Sequence, residues 1–516
     1  MNSIQHTYYF WKIVHHYVRH QKFRVLAIHP TQVWLEDDTA KPRRVIRLVQ
    51  SEVDWANRLK RDIGHARQQF EKMYKQLGVW QLRGENIYIM SYPPVDEWES
   101  ALVPFQIGNK KNAVQNIALH SNASTYKELA DQHLTADELP DLRSSLSEEE
   151  MEQEVHRLRQ EVRSAGKGRE NTDKKTLFFG KPRALFVILL AMVAMFVVLE
   201  QNGGSQNMLT LIEYGAKYNP LMIEGEWWRI VSSMFLHIGF FHLFMNGLAL
   251  YFLGSAVEQI YGSRRFVVIY FLAGIFGSIV SFAFNDNLSA GASGAIFGCF
   301  GALLYFGLKH RSLFFRTLGR NVIVLLVINL AFGFMVPMID NGAHVGGLIG
   351  GFLASCMTRL PSEKKQPGRL WSLLATLGYI IASAGLIFWG QTSSSSSAQM
   401  QAFEAQRLFE AGQFEEARPI VSEALEQEGE MPELLFMQAY IDAELDQDFA
   451  SAREHLESAT EVRPDFHEGW YNLSLVYGEL DEWELAHEAV TNALEQEPDQ
   501  EDYQTVQQEI EQQLEQ

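Results

Sequence analysis

Apolar and polar positions divide the chain into three unlike parts. Between about residues 177 and 390 lie seven apolar stretches, approximately Leu177–Leu199, Phe235–Ile260, Phe266–Phe284, Gly291–Leu308, Val322–Met338, Ala343–Met357 and Leu370–Trp389. At roughly 16 to 25 residues and 1.5 Å per residue they suit a hydrocarbon core about 30 Å thick. Before them, helical periodicity over Ile4–His20 and Glu52–Gln76 alternates with strand patterning over Phe23–His29, Gln32–Leu35, Arg44–Val49 and Asn86–Met90, predicting a small α/β domain over 1–135. Ser51 is the expected cap of the second helix. Residues 136–176 read as a charged helix, with Glu and Arg paired along SEEEMEQEVHRLRQEVR, followed by the linker AGKGRENTDKK. That helix is expected to space the domain from a membrane.

After the apolar region, 391–400 is a Ser-rich linker and 401–516 is almost wholly helical in pattern, with internal repeats. Pro432, Pro464 and Pro498 recur, as do Ala417, Ala452 and Ala486, and Phe414, Phe449 and Trp483, at intervals of about 34 residues. Trp470, Leu473, Tyr477, Ala486, Ala493 and Pro498 resemble the tetratricopeptide (TPR) pattern. The resemblance implies an α-helical solenoid that binds a protein partner, against the plainer reading of a solubilising cap.

Charge changes the picture. The net of −19 argues against nucleic acid as a partner. It is also an average over unlike parts, because residues 391–516 carry −27 and the rest +8. Lys and Arg gather in alternate connections: Lys174, Lys175, Lys181 and Arg183; Arg264 and Arg265; Lys309, Arg311, Arg316 and Arg320; Arg359, Lys364, Lys365 and Arg369. The positive-inside rule puts these, and the N-terminal domain, in the cytoplasm and the acidic C-terminal part outside. The first twenty residues lack an apolar core, so the first stretch is expected to act as an uncleaved anchor. Cys299 and Cys356 lie in apolar runs and suggest neither a disulfide framework nor a metal site.

Polar groups inside apolar stretches are functional candidates, since burying them in lipid is costly. His237, His242 and Asn246 open the second stretch, Ser293 the fourth and His344 the sixth, all at similar depth in the outer half of the bilayer. A serine hydroxyl needs a base and histidine supplies one, so Ser293 and His344 suit nucleophilic acyl transfer. His242 and Asn246 share one helical face and, with the Ser293 N–H, could donate to an oxyanion. Gly294 with Gly298, and Gly347 with Gly351, are small-xxx-small pairs that allow the close helix approach a direct Ser–His hydrogen bond requires. Asp340 alone stands near His344, at the membrane edge, which suggests a dyad. Two plainer readings compete: packing and structural residues, or a proton-coupled transporter, although the latter prefers intramembrane carboxylates that are nearly absent here.

The GASG of Gly291–Gly294, the HxxxxHxxxN of His237–Asn246, the AHVGG of Ala343–Gly347 and the pair Trp228–Arg229 together resemble the rhomboid intramembrane serine proteases over about 177–360. The whole architecture resembles rhomboids of Gram-positive bacteria. The resemblance implies a seven-span helical bundle over 177–390, Ser293 as nucleophile, His344 as base, and His242, Asn246 and the Ser293 N–H as the oxyanion hole. It further implies a structural, water-retaining His237, a structural Glu258, and Phe297 stacked beside the base where some members have tyrosine. Trp228 and Arg229 are expected to anchor the outer loop at the interface.

The expected activity is cleavage of transmembrane segments near the outer leaflet, with no metal required and with substrates carrying Gly, Pro or small residues near the cut. Nine of sixteen histidines precede residue 177, and His16 and His20 at i, i+4 suggest a regulatory divalent cation; nearby Glu36, Asp37 and Asp38 read equally as a solvated turn. Expected partners are the lipid bilayer, transmembrane protein substrates, a protein at the repeats, and another membrane protease or transporter. The implied setting is a bacterial plasma membrane and the implied role membrane-protein quality control. The alternative is a catalytically silent adaptor or chaperone on the same fold.

Overall fold

The computed structural model describes residues 3–77, 81–108, 112–120, 146–336, 339–363, 368–394, 398–428 and 431–515. The expected domain boundary at 135, Met338, and Ser395–Ser397 of the serine run lie outside these residues.

The N-terminal region is an α/β domain around a six-stranded sheet of order β1-β2-β3-β4-β6-β5. β1 (Arg24–Ile28), β2 (Gln32–Asp37) and β3 (Arg43–Ser51) form an antiparallel meander. β4 (Leu82–Met90) and β6 (Ala113–Leu119) extend it in parallel, and β5 (Phe105–Gln106) pairs at the edge. Helix α1 (Ser3–Arg19) covers one face with Phe10, Trp11, Val14 and Tyr17 against Leu35, Ile46 and Leu48. Helix α2 (Ala56–Leu77) covers the other with Phe70 against Trp34, Val45 and Leu82. The neighbours Trp34 and Leu35 thus serve opposite cores, as the two-residue period of a strand requires.

Three expectations for this region are corrected. Ser51 ends β3 and caps nothing; α2 begins at Ala56, whose N–H donates to Asp96 Oδ1 at 2.5 Å. The cap comes from a residue forty positions away and could not be read locally. β5 and β6 were not anticipated, because Gln115 and Asn116 interrupt the apolar run of β6. Asn116 is accommodated by pairing, accepting from Asn86 Nδ2 at 2.9 Å beside the ion pair of Arg47 with Asp62. Third, the supposed linker is helical: α3 runs without a break over Glu148–Leu177, with Ser147 and Glu150 forming a capping box. Rather than standing between domain and membrane, α3 joins the domain core, burying Met151, Val155, Leu158 and Val162 with α1. Its later half is held by Arg169 on Asp38 and by Arg24 on Asp173.

Each of the seven apolar stretches is helical: α4 (Ala184–Gln201), α5 (Gly239–Tyr261), α6 (Ser263–Phe284), α7 (Ser293–Lys309), α9 (Gly319–Met335), α10 (Asn341–Thr358) and α11 (Arg369–Ser394). The first starts seven residues later than expected, because Leu177 still belongs to α3. Helix α8 (Arg311–Thr317) meets α9 at 73°. Among the described residues four helices, α4, α5, α6 and α11, are long and apolar enough on their own to cross a membrane, and α8 with α9 makes a bent fifth candidate. α6 is central, two-thirds buried, whereas α11 is almost wholly exposed. Phe240, Phe241 and Phe244 of α5, Val327 and Ile328 of α9, and Trp371 and Ile380 of α11 are bare, a surface that water would not tolerate and a bilayer covers.

Glu36 is fully buried at the junction of the α/β domain with α8, taking Arg43 at 2.9 Å and Arg316 at 3.4 Å. It is therefore no solvated turn residue, although Asp37 is, accepting from the Thr39 N–H at 2.9 Å. Beyond α11 the described residues form three packed helix pairs and a last helix: α12 (Ala398–Glu410) with α13 (Phe414–Glu428), α14 (Pro432–Glu444) with α15 (Phe449–Val462), α16 (His467–Glu479) with α17 (Trp483–Gln496), then α18 (Glu501–Leu514). The repeating Phe414, Phe449 and Trp483 each open the second helix of a pair, and Ala417, Ala452 and Ala486 are each fully buried there. Most of the supposed 391–400 linker extends α11 or opens α12.

Glu258, fully buried in α5, accepts from the backbone N–H groups of Arg183 (2.8 Å), Ala184 (2.9 Å) and Leu185 (2.9 Å) and from Ser263 Oγ (2.6 Å). It supplies the acceptor for otherwise unsatisfied N–H donors at the start of α4. Glu258→Gln turns one acceptor oxygen into a donor facing donors; about 2–3 kcal/mol of stability should be lost, read as a lower thermal unfolding midpoint in detergent.

Candidate active site

Five segments converge on one end of the bundle. Ser293 is the first residue of α7 and follows a turn that only glycine fits comfortably. Gly291 has φ +142°, and a Cβ there would stand 3.1 Å from His242 Nε2. Its N–H donates to Ser233 O at 2.9 Å, tying the turn to the connection between α4 and α5. As α7 starts at Ser293, its N–H is among the donors a helix leaves free at its N-terminus.

His344 lies in the first turn of α10, which Asp340 caps by accepting from the Ala343 N–H at 2.9 Å. Glycines bring the two helices together. A Cβ on Gly347 would sit 1.9 Å from Gly294 O, and one on Gly351 would sit 2.1 Å from Gly298 O. The backbones are therefore in contact, with no room for any other residue. One turn beyond Ser293, Phe297 stacks on the His344 ring, with centroids 4.1 Å apart and planes 13° from parallel. Among the described residues no hydrogen bond joins Ser293 to His344 in this resting arrangement, and His344 Nδ1 is a buried atom without a partner. The ring is oriented by stacking, and among the described residues no carboxylate bonds to it as the aspartate of a triad would.

The other histidines are fixed through their tautomers. His242 Nδ1 accepts from the Ile238 N–H at 3.3 Å, which leaves the ring proton on Nε2, the atom facing Gly291. His237 Nε2 accepts from the Ala292 N–H at 3.4 Å while Nδ1 faces Phe235 O at 3.3 Å, so this buried ring braces the turn before Ser293. Asn246 Nδ2 donates to His242 O at 3.0 Å within its own helix, so half of the amide's donor capacity is spent on α5.

Trp228 and Arg229 depart from expectation in part. Trp228 is half exposed, but Arg229 is buried, donating to Ile212 O at 2.6 Å and Ala216 O at 3.1 Å, pairing with Glu226, and lying 4.8 Å from the Trp228 ring centroid. Arg229 organises the connection from within and does not lie at the lipid interface. Sequence reasoning also missed a polar cavity of about 20 Å³, room for roughly one water, lined by Ser233, Ser278, Ser281, Ser289 and Lys217 together with Ser293. Each of those residues reads singly as a small packing or loop residue. The proposed cation ligands His16 and His20 stack at 5.3 Å, and the neighbouring His15 turns to Glu161 at 2.7 Å. Among the described residues no group of three His, Cys, Asp or Glu side chains could hold a metal ion.

A serine at a helix start, a histidine backed by an aromatic ring and a second histidine facing the preceding turn thus meet at one end of the bundle. The rhomboid domain model matches residues 224–361. The chain is 35% identical to Rhomboid protease GluP of Bacillus subtilis (strain 168) over 93% of either chain, and it belongs to the rhomboid family of serine proteases. RHOMBOID-like protein 5 of Arabidopsis thaliana is 38% identical over 28% of this chain and 48% of that one. Inactive RHOMBOID-like protein 8 of the same plant is 41% identical over 26% and 39%. The first TPR of Spaghetti (RPAP3) aligns at 20% identity and a TM-score of 0.22, covering 24% of this chain and 96% of that one.

If backbone contact between α7 and α10 sets the site, Gly347→Ala should lower cleavage of a single-span substrate in liposomes by about 100-fold, the scale of a ~1 Å misplacement, with helix content by circular dichroism unchanged.

Proposed function

We propose that this rhomboid protease cleaves transmembrane segments near the outer leaflet with a Ser293–His344 dyad. The single observation that carries the reading is the backbone contact of α7 with α10, which puts the His344 ring on Phe297, one turn from Ser293. Ser293 Oγ attacks the peptide carbonyl as His344 takes its proton. The oxyanion forms beside the His242 Nε2–H and the Ser293 N–H, with the remaining Asn246 hydrogen as a third donor. His344 then protonates the leaving amine, and water releases the acyl enzyme. His237, Phe297, Glu258, Trp228 and Arg229 support this geometry, and none of these steps calls for a metal.

In the same reading seven spans cross a bacterial plasma membrane, with the α/β domain in the cytoplasm and the repeats outside. Support comes from the alternation of basic connections. The three helix pairs, each with a fully buried alanine in its second helix, form a TPR-like solenoid for a protein partner, and an acidic repeat domain outside together with a regulatory one inside suits quality control of membrane proteins alongside another membrane protease or transporter.

The test is reconstitution in liposomes with a tagged single-span substrate: wild type should yield a shorter band that Ser293→Ala and His344→Ala do not. Equal product from Ser293→Ala would remove the dyad. No product from wild type across several substrates would favour the silent adaptor, the condition that one similar plant protein carries in its name.

A regulatory divalent cation at His16 and His20 is supported by their stacked rings at the end of α1. Two protein ligands leave a metal largely water-coordinated, so the affinity should be weak. Titrating Mn²⁺ or Zn²⁺ into the same liposomes should change the cleavage rate of wild type and not of His16→Ala/His20→Ala; an identical response of both proteins contradicts the site.

A further inference from the structure

Lysine side chains rarely leave water, because the ammonium loses its hydration. Lys217, in the connection between α4 and α5, is only 1% exposed. No carboxylate lies within ion-pair distance of it among the described residues, and its Nζ instead gathers backbone carbonyls of the segment that leads into α7. It donates to Asn285 O and, at 3.1 Å, to Asn287 O. The backbone of Lys217 clasps the same segment: its N–H donates to Ser289 O at 2.9 Å and its carbonyl accepts from the Ser289 N–H at 3.0 Å, an isolated antiparallel bridge. Ser289 stands two residues before Gly291 and four before Ser293. Two residues on, Asn219 Nδ2 donates to Phe282 O at 3.2 Å and Asp286 Oδ1 at 2.8 Å, fastening the other end of the segment. Lys217 also lines the cavity that reaches Ser293. Burial pushes the ammonium's pKa down to about 8, opposed by Asp340 and Asp286, so the group is still mostly charged at neutral pH.

A methionine would fill this volume without the cost of desolvation, so the contribution of the ammonium lies in the carbonyls it holds. We propose that Lys217 is a positioning residue of the protease: its buried ammonium and its bridge to Ser289 together fix the 285–291 segment and thereby the turn that presents Ser293 to His344. The inference rests on the Ser293–His344 reading and adds a residue of the α4–α5 connection to it.

The experiment compares wild type, Lys217→Met, Lys217→Gln and Ser293→Ala in liposomes, with kcat and KM for a fluorogenic single-span substrate, the rate at which a fluorophosphonate labels Ser293, and the thermal unfolding midpoint. Lys217→Met should lower kcat about tenfold with KM within about twofold, the split expected when geometry and not substrate binding is lost. Labelling should slow in proportion, and Lys217→Gln, which keeps N–H donors, should fall in between. Wild-type kcat in Lys217→Met, a rise in KM alone, or a loss accounted for wholly by a smaller folded fraction overturns the proposal. Should Lys217→Met not fold, Lys217→Gln decides on the same criteria: a lower kcat at unchanged KM supports the role, and wild-type kcat overturns it. Cleavage by Ser293→Ala would instead remove the dyad on which the proposal rests.

Discussion

The contact of two helix backbones through Gly294, Gly298, Gly347 and Gly351 is the constraint on which the site depends. In lipid, apolar side chains gain nothing by leaving one apolar neighbour for another, so association rests on close packing and on polar groups finding partners. The smallest residues allow α7 and α10 to meet with the Gly294 carbonyl where a Cβ of residue 347 would be. A serine in the first turn of one helix and a histidine in the first turn of the other are then brought to the same level, and Phe297 completes the seat of the imidazole. No charged group is needed to hold the pair together.

Around this contact, the irregular connections supply what helices cannot. The segment into α7 is held from three directions: Ser233 takes the Gly291 N–H, His237 takes the Ala292 N–H, and Lys217 grips the residues before them. His242 is turned by the Ile238 N–H so that its proton-bearing nitrogen faces the same turn. A buried loop must satisfy its own polar groups, and here the groups that satisfy it also fix the turn that leads into Ser293. Glu258 does the equivalent at the opposite end of α5, capping α4 from a neighbouring helix.

What the sequence made legible follows the range of the interactions. Apolar length announced all seven bundle helices, and the spacings of Ser293, His344 and the glycines announced which helix faces would meet. The repeat periodicity located helix starts at Phe414, Phe449 and Trp483. Features set by distant partners stayed hidden. Asp96 caps α2 from the connection after β4, Asn116 survives in a central strand because Asn86 answers it, and α3 continues through a glycine-containing stretch because Asp38 and Arg24 hold it. Arg229 read as an interfacial anchor because its acceptors, Ile212 O and Ala216 O, are backbone atoms that no motif encodes. The acceptors of the Lys217 ammonium, Asn285 O and Asn287 O, are likewise backbone atoms.

The central claim is that Ser293 is made nucleophilic by His344 across the glycine contact. Mass spectrometric mapping of a fluorophosphonate adduct on wild type and on His344→Ala, in the same lipid, tests it most directly. The account predicts an adduct at Ser293 in wild type that is lost in His344→Ala. An adduct on another residue, or Ser293 modified at the same rate without His344, would contradict it.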